Sequence, residues 1–239
     1  MFIPLSKSTI QVLHNFCSIN SNMLFREGRK QRVIESNKTV MAEIELEEDI
    51  PWTFKIYDLG ELVTMASANA AQAFAIDYQD PNIVLRIGDS AIGTIMSSTH
   101  RGGEPPTGDL DVKADVEFDL KASDLANVCK MATSLKLEKY ETIVDGDGSS
   151  VRMTLTDRVQ LAKEDKDKPL SFQKTYSLLV GKSDRQFRAI IRTEHFRKLM
   201  PGSYRITLML RGLARMKHTT RALTYWMGLE VDRKSTRLN

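Results

Sequence analysis

Two short segments of the sequence carry residues that could do chemistry, and neither has the full pattern that its chemistry needs. Gly181-Lys182-Ser183 is typical of the end of a phosphate-binding loop, but Tyr176 stands five residues before Gly181, where such a loop requires glycine. Asp145-Gly146-Asp147 begins like a calcium-binding loop, yet the twelfth position is Thr156 instead of a bidentate glutamate. The first segment therefore predicts no nucleotide site, and the second is better explained as a hairpin turn.

The histidines and cysteines are too dispersed to form a metal or nucleophilic site. Histidines 14, 100, 195 and 218 have no cysteine or carboxylate at the spacing of metal ligands. Cys17 and Cys129 have no obvious activating neighbour, and their apolar surroundings indicate buried free thiols in a reducing compartment. We predict that the chain is not an enzyme and binds no metal or other cofactor.

Length and composition favour a globular protein of the cytoplasm. The sequence has 239 residues, 41% of them hydrophobic, which suffices for one large domain or two ordinary ones. No apolar run approaches the ~18 residues of a membrane span. The first residues, Met1–Lys7, lack the pattern of a signal peptide. We therefore predict a cytoplasmic location and no membrane partner.

The net charge of +3 hides a strong asymmetry between the two halves of the chain. Residues 1–115 contain 10 basic and 16 acidic residues, whereas the remainder contains 24 basic and 15 acidic residues. Two solvated surfaces of different charge are one explanation. The other is that acidic and basic surfaces meet between subunits, or that the basic half binds a polyanion.

A helix predicted between Leu5 and Ile19 has a counterpart 115 residues later in the chain. Either Ser6 or Ser8 can cap its start. Its apolar face is expected to carry Ile10, Leu13, Phe16 and Cys17, and its polar face Lys7, Gln11, His14 and Ser18. Leu5, Ser8, Ile10, Leu13 and Phe16 are matched by Leu120, Ser123, Leu125, Val128 and Met131. A repeat of this kind predicts two similar units.

Stretches of period two surround both helices and give the halves similar predicted orders. In the first half we expect strands within residues 23–26, 32–35, 40–47 and 52–57, a second helix capped by Asp58, and strands within 74–78, 83–87 and 91–96. In the second half we expect a strand at 116–120, a helix at 122–137, strands within 141–144, 151–156, 174–180 and 187–191, a short helix capped by Thr193, and two long strands within 204–210 and 223–231. The pattern predicts an α+β fold of two similar domains, each with helices on an antiparallel sheet.

A Gly- and Pro-rich stretch, Arg101–Gly108, separates the two halves. The predicted domains are residues 1–99 and 116–232, joined by an interdomain linker at 100–115. Residues 233–239 fit no pattern of the fold and are interpreted as a tail, either frayed or not native.

Four collinear segments carry a resemblance to a known family. They are Leu5-Ser6-Lys7 through Ser18-Ile19-Asn20-Ser21, Ile56–Leu59, Leu120-Lys121-Ala122 with Asp124-Leu125, and Met200–Tyr204 with Leu229–Asp232. In order and spacing they resemble the DNA sliding clamps of the T-even-type bacteriophages, which are DNA polymerase processivity factors. The resemblance covers essentially Leu5 to Asp232.

The resemblance implies a closed ring, a head-to-tail homotrimer with sheets outside and helices lining the hole. Such a ring encircles duplex DNA without regard to sequence and tethers the DNA polymerase through a peptide of that enzyme. An ATP-driven clamp loader places the ring on DNA in the infected bacterial cell. The residues alone leave two alternatives open: a non-encircling basic nucleic-acid-binding monomer or dimer, and a scaffold for a protein partner.

The resemblance also implies that basic residues of the helices contact DNA phosphates without reading bases. The candidates lie on the first, third and fourth helices, with one near a turn: Lys7, His14, Arg26, Lys121, Lys130, Arg197 and Lys198. Taken singly, each is equally well explained as solvated surface charge. His14 stands where the family commonly has a lysine, Thr133 also replaces a basic residue, and the second helix has none. We therefore expect the first domain to bind DNA weakly.

A second implied site is an apolar groove for partner peptides beneath the interdomain linker. Matching element by element places Val40, Leu110, Val112 and Leu229 in this groove. For each of these residues, core packing or a plain linker position is the alternative role.

Overall fold

A computed structural model describes residues 2–69, 72–79, 82–96, 104–108, 110, 113–157 and 174–230. The chain divides into unit 1, Met1–Gly108 with Ala222–Thr224, and unit 2, Asp109–Arg221 with Tyr225–Asn239. Val112, the charged stretch around residues 163–168 and the predicted tail lie outside the described residues. Among the helices of the described part, none is long and apolar enough to span a membrane.

The same order of elements occurs twice along the chain. The first series is β1 (Phe2–Leu5), α1 (Lys7–Cys17), β2 (Met23–Phe25), β3 (Gly28–Ile34), β4 (Val40–Ile50), β5 (Phe54–Ile56), α2 (Leu59–Ala68), β6 (Phe74–Gln79), β7 (Asn82–Ile87) and β8 (Ser90–Met96). The second is β9 (Val116–Leu120), α3 (Ala122–Leu135), β10 (Glu141–Asp147), β11 (Val151–Thr156), β12 (Tyr176–Gly181), β13 (Gln186–Arg192), α4 (Thr193–Phe196), β14 (Tyr204–Met209), β15 (Leu213–His218) and β16 (Leu223–Gly228). The predicted internal repeat is thus a repeat of whole elements.

The sheets of the two units also share a topology. In unit 1 the order β1-β6-β7-β8 forms one antiparallel sheet, with Phe2 opposite Asp77, while β2 pairs with β5 and β3 with β4. In unit 2 the strands β9, β14, β15 and β16 follow one another in the same way, with Leu120 opposite Tyr204, and the order β12-β11-β10-β13 forms a second sheet. In both units the first strand therefore pairs with the strand that follows the second helix.

Helix α1 begins after Ser6, whose side chain accepts a hydrogen bond of 3.1 Å from the backbone N–H of Thr9. Ser8, the other predicted cap, lies inside the first turn. The buried face consists of Thr9, Val12, Leu13 and Phe16, whereas Ile10 and Cys17 are only half-buried. The predicted apolar face is thus rotated toward Thr9. Hydrophobicity alone missed this because the Thr9 hydroxyl is buried with a partner, Glu48.

The remaining helices agree with the predictions in position but differ in how they begin. Asp58 caps α2 through its side chain, which accepts a bond of 3.1 Å from Glu61 N–H, as predicted. Thr193 is the first residue of α4 instead of its cap, and its hydroxyl lies 2.9 Å from that of Thr142 in the interior. The position before it, Arg192, makes no capping bond through its side chain.

Two strands were not predicted. β1 is short and contains Pro4, so its alternation of exposed Phe2 and Pro4 with buried Ile3 and Leu5 is too brief to stand out. β15 carries the outward-facing charged residues Arg215 and Lys217, and it lies between the two long strands that the sequence predicts. β1 pairs with the distant strand β6, which local patterns do not report, whereas β15 forms a hairpin with β14, with Leu213 opposite Met209, and was missed although its partner is adjacent.

The segment that begins like a calcium-binding loop and the two cysteines have structural roles. The Asp147 carboxylate accepts bonds of 2.8 and 2.7 Å from the backbone N–H groups of Ser149 and Ser150, which closes the turn between β10 and β11. The predicted hairpin turn is therefore confirmed. Cys17 and Cys129 are free thiols and half-buried, and burial raises the pKa of both.

Candidate nucleic-acid interface

In unit 1, helix α1 packs against α2 and exposes Lys7, Gln11, His14 and Ser18 along one side. Lys7 and His14 form no ion pair with any residue in the described ranges. Lys7 is the first residue of the helix, where the helix dipole disfavours a cation. Its ammonium group therefore gains from any nearby anion, and α1 presents one firmly charged group to solvent.

Helix α2 presents no positive charge beside α1. Its first turn contains Glu61, its cap is Asp58, and its exposed positions further along include Thr64 and Ser67. Positive charge on the two helices of unit 1 is thus confined to α1.

In unit 2, helix α3 carries two of the predicted cations on exposed positions. Lys121 is the N-cap residue, and its side chain makes no capping bond. Lys130 lies nine residues on, beside exposed Asn127 and Thr133, and pairs with no acidic group among the described residues. Nine residues are about 2.5 helical turns, so the two positions differ by roughly 13 Å along the axis and lie on opposite sides of it. Helix α3 therefore carries two separate exposed cations and no continuous basic row.

Helix α4 packs against α3 and places Arg197 and Lys198 at its end. Arg197 is exposed and lies 3.8 Å from Glu138 in an ion pair that water largely screens. Its guanidinium is also close enough to Cys129 to oppose the rise in the pKa of that thiol that burial causes. Lys198 is half-buried. The predicted residues of α3 and α4 are thus brought together within unit 2.

Arg26 differs from the helical candidates. It follows β2, lies 3.6 Å from Glu104 and keeps 34% of its side chain exposed. Glu104 also pairs with Lys55 at 2.9 Å. Since its charge is already countered by a carboxylate away from the helices, Arg26 is the weakest of the seven candidates for a DNA contact.

The residues predicted for a partner-peptide groove are split between the units. Val40, at the start of β4 in unit 1, is only 1% exposed and offers almost no surface. Leu110 and Leu229, in unit 2, are half-buried, and the backbone N–H of Leu229 donates to Gly212 at 2.9 Å. Leu110 and Leu229 therefore remain the better candidates for contact with a peptide.

Comparison with known proteins shows which proteins this chain resembles. The family of DNA polymerase processivity factors matches residues 6–92. The sliding clamp of Vibrio phage KVP40 is 26% identical over 89% of this chain and 93% of its own length. That of Escherichia phage RB69 is 26% identical over 96% of this chain and 98% of its own.

The predicted resemblance to the sliding clamps of the T-even-type bacteriophages is confirmed.

Solved structures give the same fold for this chain at much lower identity. The proliferating cellular nuclear antigen of Entamoeba histolytica has a TM-score of 0.70 at 10% identity and covers 96% of this chain and 98% of its own. A structure of the C-terminal region of FEN-1 bound to A. fulgidus PCNA has a TM-score of 0.65 at 11% identity, covering 97% and 98%. The predicted α+β clamp fold is confirmed. The matching family is one of processivity factors rather than enzymes, in agreement with the prediction that the chain is not an enzyme.

Sequence reasoning missed one residue that positions the clamp's first basic helix. Glu48 on β4 accepts hydrogen bonds from the Thr9 hydroxyl at 2.5 Å and from the backbone N–H of Ser6. Burial raises the pKa of Glu48, but the bonds from Thr9 and Ser6 outweigh it and hold the pKa below its usual range. A signal was present: Glu48 continues the inward positions of β4 after Val40, Ala42, Ile44 and Leu46. A carboxylate at such a position requires donors.

Proposed function

We propose that this chain is a sliding clamp that encircles duplex DNA and tethers the replicative DNA polymerase, thereby conferring processivity. Similarity to the phage sliding clamps, and to processivity factors over residues 6–92, carries the proposal. Helices with solvated cations and few counter-charges suit it physically. Lys7, Lys121 and Lys130 attract phosphates at long range, and a small number of weak contacts permits sliding because none fixes a base.

We propose further that the two units are the two domains of a subunit, with boundaries at 1–99 and 116–232, and that three subunits close into a ring. Among the edge strands of the described sheets, which also include β1 and β13, are β8 in unit 1 and β12 in unit 2. Pairing β8 of one subunit with β12 of the next makes a head-to-tail contact that closes when the rotation permits. Leu179 on β12 is 56% exposed and supplies apolar surface for that contact.

The remaining partners follow from the same assignment. A peptide of the DNA polymerase would bind near the interdomain linker, and a precedent for peptide binding is the C-terminal region of FEN-1 bound to A. fulgidus PCNA. We assign to the linker groove Leu110, Val112 and Leu229, with Val40 as its most buried member. An ATP-driven clamp loader would open the ring, and the setting would be the cytoplasm of an infected bacterial cell.

The decisive experiment compares retention on circular and linear DNA. The labelled clamp is loaded on nicked circular plasmid by its loader, and half of the sample is then cut once with a restriction enzyme. A ring stays on the closed circle and is lost from the ends of the linear molecule. Equal loss from both would overturn encirclement and favour a basic protein that binds DNA from one side.

A further inference from the structure

The linker segment Glu104–Gly108 is tied to unit 1 at both of its ends. At the first end, the carboxylate of Glu104 lies 2.9 Å from Lys55 Nζ and 3.6 Å from Arg26. At the other, Arg32 Nη1 donates to the backbone oxygen of Pro106 and, at 2.9 Å, to that of Gly108. Since Glu104 is 54% exposed, its pairs are screened by solvent, and the contacts of Arg32 hold the segment more strongly.

Arg32 is unusual for a charged residue because only 7% of its side chain is exposed. Its Nε donates at 2.5 Å to Glu43, which lies directly opposite on β4. The carboxylate neutralises the guanidinium, while Nη1 donates to the two linker carbonyls. A planar group with donors on several edges can satisfy three acceptors at once, which a lysine ammonium cannot do in this geometry.

The linker segment has no regular secondary structure. Pro105 and Pro106 have no backbone N–H, so neither can donate the backbone hydrogen bond that a helix or a sheet requires. Pro105 is nevertheless buried. Its position therefore depends on side chains of unit 1, and the bonds to Arg32 are the ones least exposed to water.

The hairpin that carries Arg32 and Glu43 also carries Val40. The backbone N–H of Glu35 donates to Val40 at 2.9 Å and closes the turn end of the β3–β4 pair. Any movement of the linker segment relative to this hairpin therefore changes its distance from Val40. The hydrogen bonds of Arg32 to Glu43 and to the linker carbonyls hold the segment in place relative to the hairpin.

We infer that Arg32, held by Glu43, is a positioning residue that fixes the start of the interdomain linker for binding of the polymerase peptide. The inference rests on the proposed function, because it assumes that the peptide binds beside the linker. Arg32 acts without touching the peptide: it keeps the linker segment ordered, so that the peptide does not have to order it on binding.

The test uses the full-length clamp and a fluorescent synthetic peptide of the C-terminal residues of the polymerase encoded with it. Arg32→Gln removes the guanidinium, and Arg32→Lys keeps only the charge. Arg29→Gln is the matched control on the same strand, because Arg29 Nε donates at 2.8 Å to the backbone oxygen of Leu46 on β4. Limited proteolysis with proteinase K, followed by mass spectrometry, reports the order of the linker segment, and fluorescence anisotropy reports peptide affinity.

We expect Arg32→Gln to speed cleavage within the linker segment about tenfold and to weaken peptide binding about fivefold, with Arg32→Lys between it and the wild type. Arg29→Gln should match the wild type in both measurements. Unchanged cleavage in Arg32→Gln, or faster cleavage with unchanged affinity, would overturn the inference. If Arg32→Gln fails to fold, Glu104→Gln, at an exposed position, replaces it and should give smaller changes of the same sign.

The two proposals fail in different ways. A wild-type clamp that neither binds the peptide nor stays on circular DNA refutes the proposed function. A wild-type clamp that does both, with an Arg32→Gln variant that behaves identically, refutes only the role of Arg32.

Discussion

Glu48 accepts a hydrogen bond of 2.5 Å from the hydroxyl of Thr9, and this contact joins strand β4 to the first turn of helix α1. The carboxylate also accepts a hydrogen bond from the backbone N–H of Ser6. It therefore lies at the start of α1, where the helix dipole favours an anion. Lys7 projects from the same turn. The placement of the first basic helix therefore depends on one strand carboxylate.

Glu48→Gln should lower the free energy of unfolding by about 1 kcal/mol at neutral pH, because charged hydrogen bonds become neutral ones at a half-buried site. The effect should depend on pH with a definite sign. In the folded protein the pKa of Glu48 lies below its ordinary value of 4.5, so its contribution is complete above that value and disappears as the pH falls through the lower, folded pKa. Urea unfolding of both proteins at pH 7 and at about pH 3 tests this. A difference that persists in acid would contradict it.

Lys130→Gln should weaken binding to duplex DNA and flatten its salt dependence. Each lost phosphate contact lowers the slope of log K against log salt by about 0.9. Lys217→Gln, at an exposed lysine on β15, removes the same charge from a sheet and is the control. Anisotropy of labelled duplex DNA at several salt concentrations measures the slope. Equal slopes for the two variants would remove Lys130 from the interface.

His14→Lys should strengthen DNA binding, since it adds a permanent charge to the helix face that now has one at Lys7. The salt slope should rise by up to about 0.9 for each subunit whose new lysine meets a phosphate. Ser36→Lys, at an exposed turn, adds the same charge elsewhere. If Ser36→Lys raises the slope equally, net charge and not the α1 face accounts for the gain.

Leu179→Asp should dissociate the trimer by placing a charge on the exposed edge strand β12. Sedimentation should show the mass of three chains for the wild type and a single chain for the variant. Leu210→Asp, at another exposed leucine in a turn, should remain trimeric. A trimeric Leu179→Asp variant would exclude β12 as the contact between subunits.

Local patterns in the sequence predicted the elements that carry their own signals. Asp58 caps α2 as expected, and the polar face of α1 with Lys7 and His14 is exposed as expected. The short strand β1 was missed because its partner β6 is distant in sequence, and β15 was missed because Arg215 and Lys217 interrupt its apolar residues, although its partner β14 is adjacent. Thr193 has the residue type of a cap, but a tertiary contact with Thr142 uses its hydroxyl instead.

The environments of the candidate DNA-binding residues were harder to predict from the sequence than the fold. Charge and the resemblance to the sliding clamps indicated Lys121 and Lys130, which are exposed to solvent, so that their predicted environment requires no knowledge of neighbours. The environment of Arg26 depends on Glu104, which is far along the chain, and no local pattern reveals that pair. The same holds for Arg32, whose acceptors include linker carbonyls. Whether a charged side chain is paired or solvated depends on residues that are distant in sequence, and a single sequence does not reveal those residues.

The pairing of each first strand with the strand after the second helix has a consequence for synthesis of the chain. β1 can pair with β6 only after the chain has been translated as far as Gln79, since Phe2 lies opposite Asp77. In the same way, β9 can pair with β14 only after α4 has been translated. Contacts of such long separation slow folding, because loop-closure entropy is lost before they form. On the ribosome, the nascent chain therefore exposes the unpaired edge of β1 until β6 emerges, and the β1–β6 pair can form while unit 2 is still being synthesised.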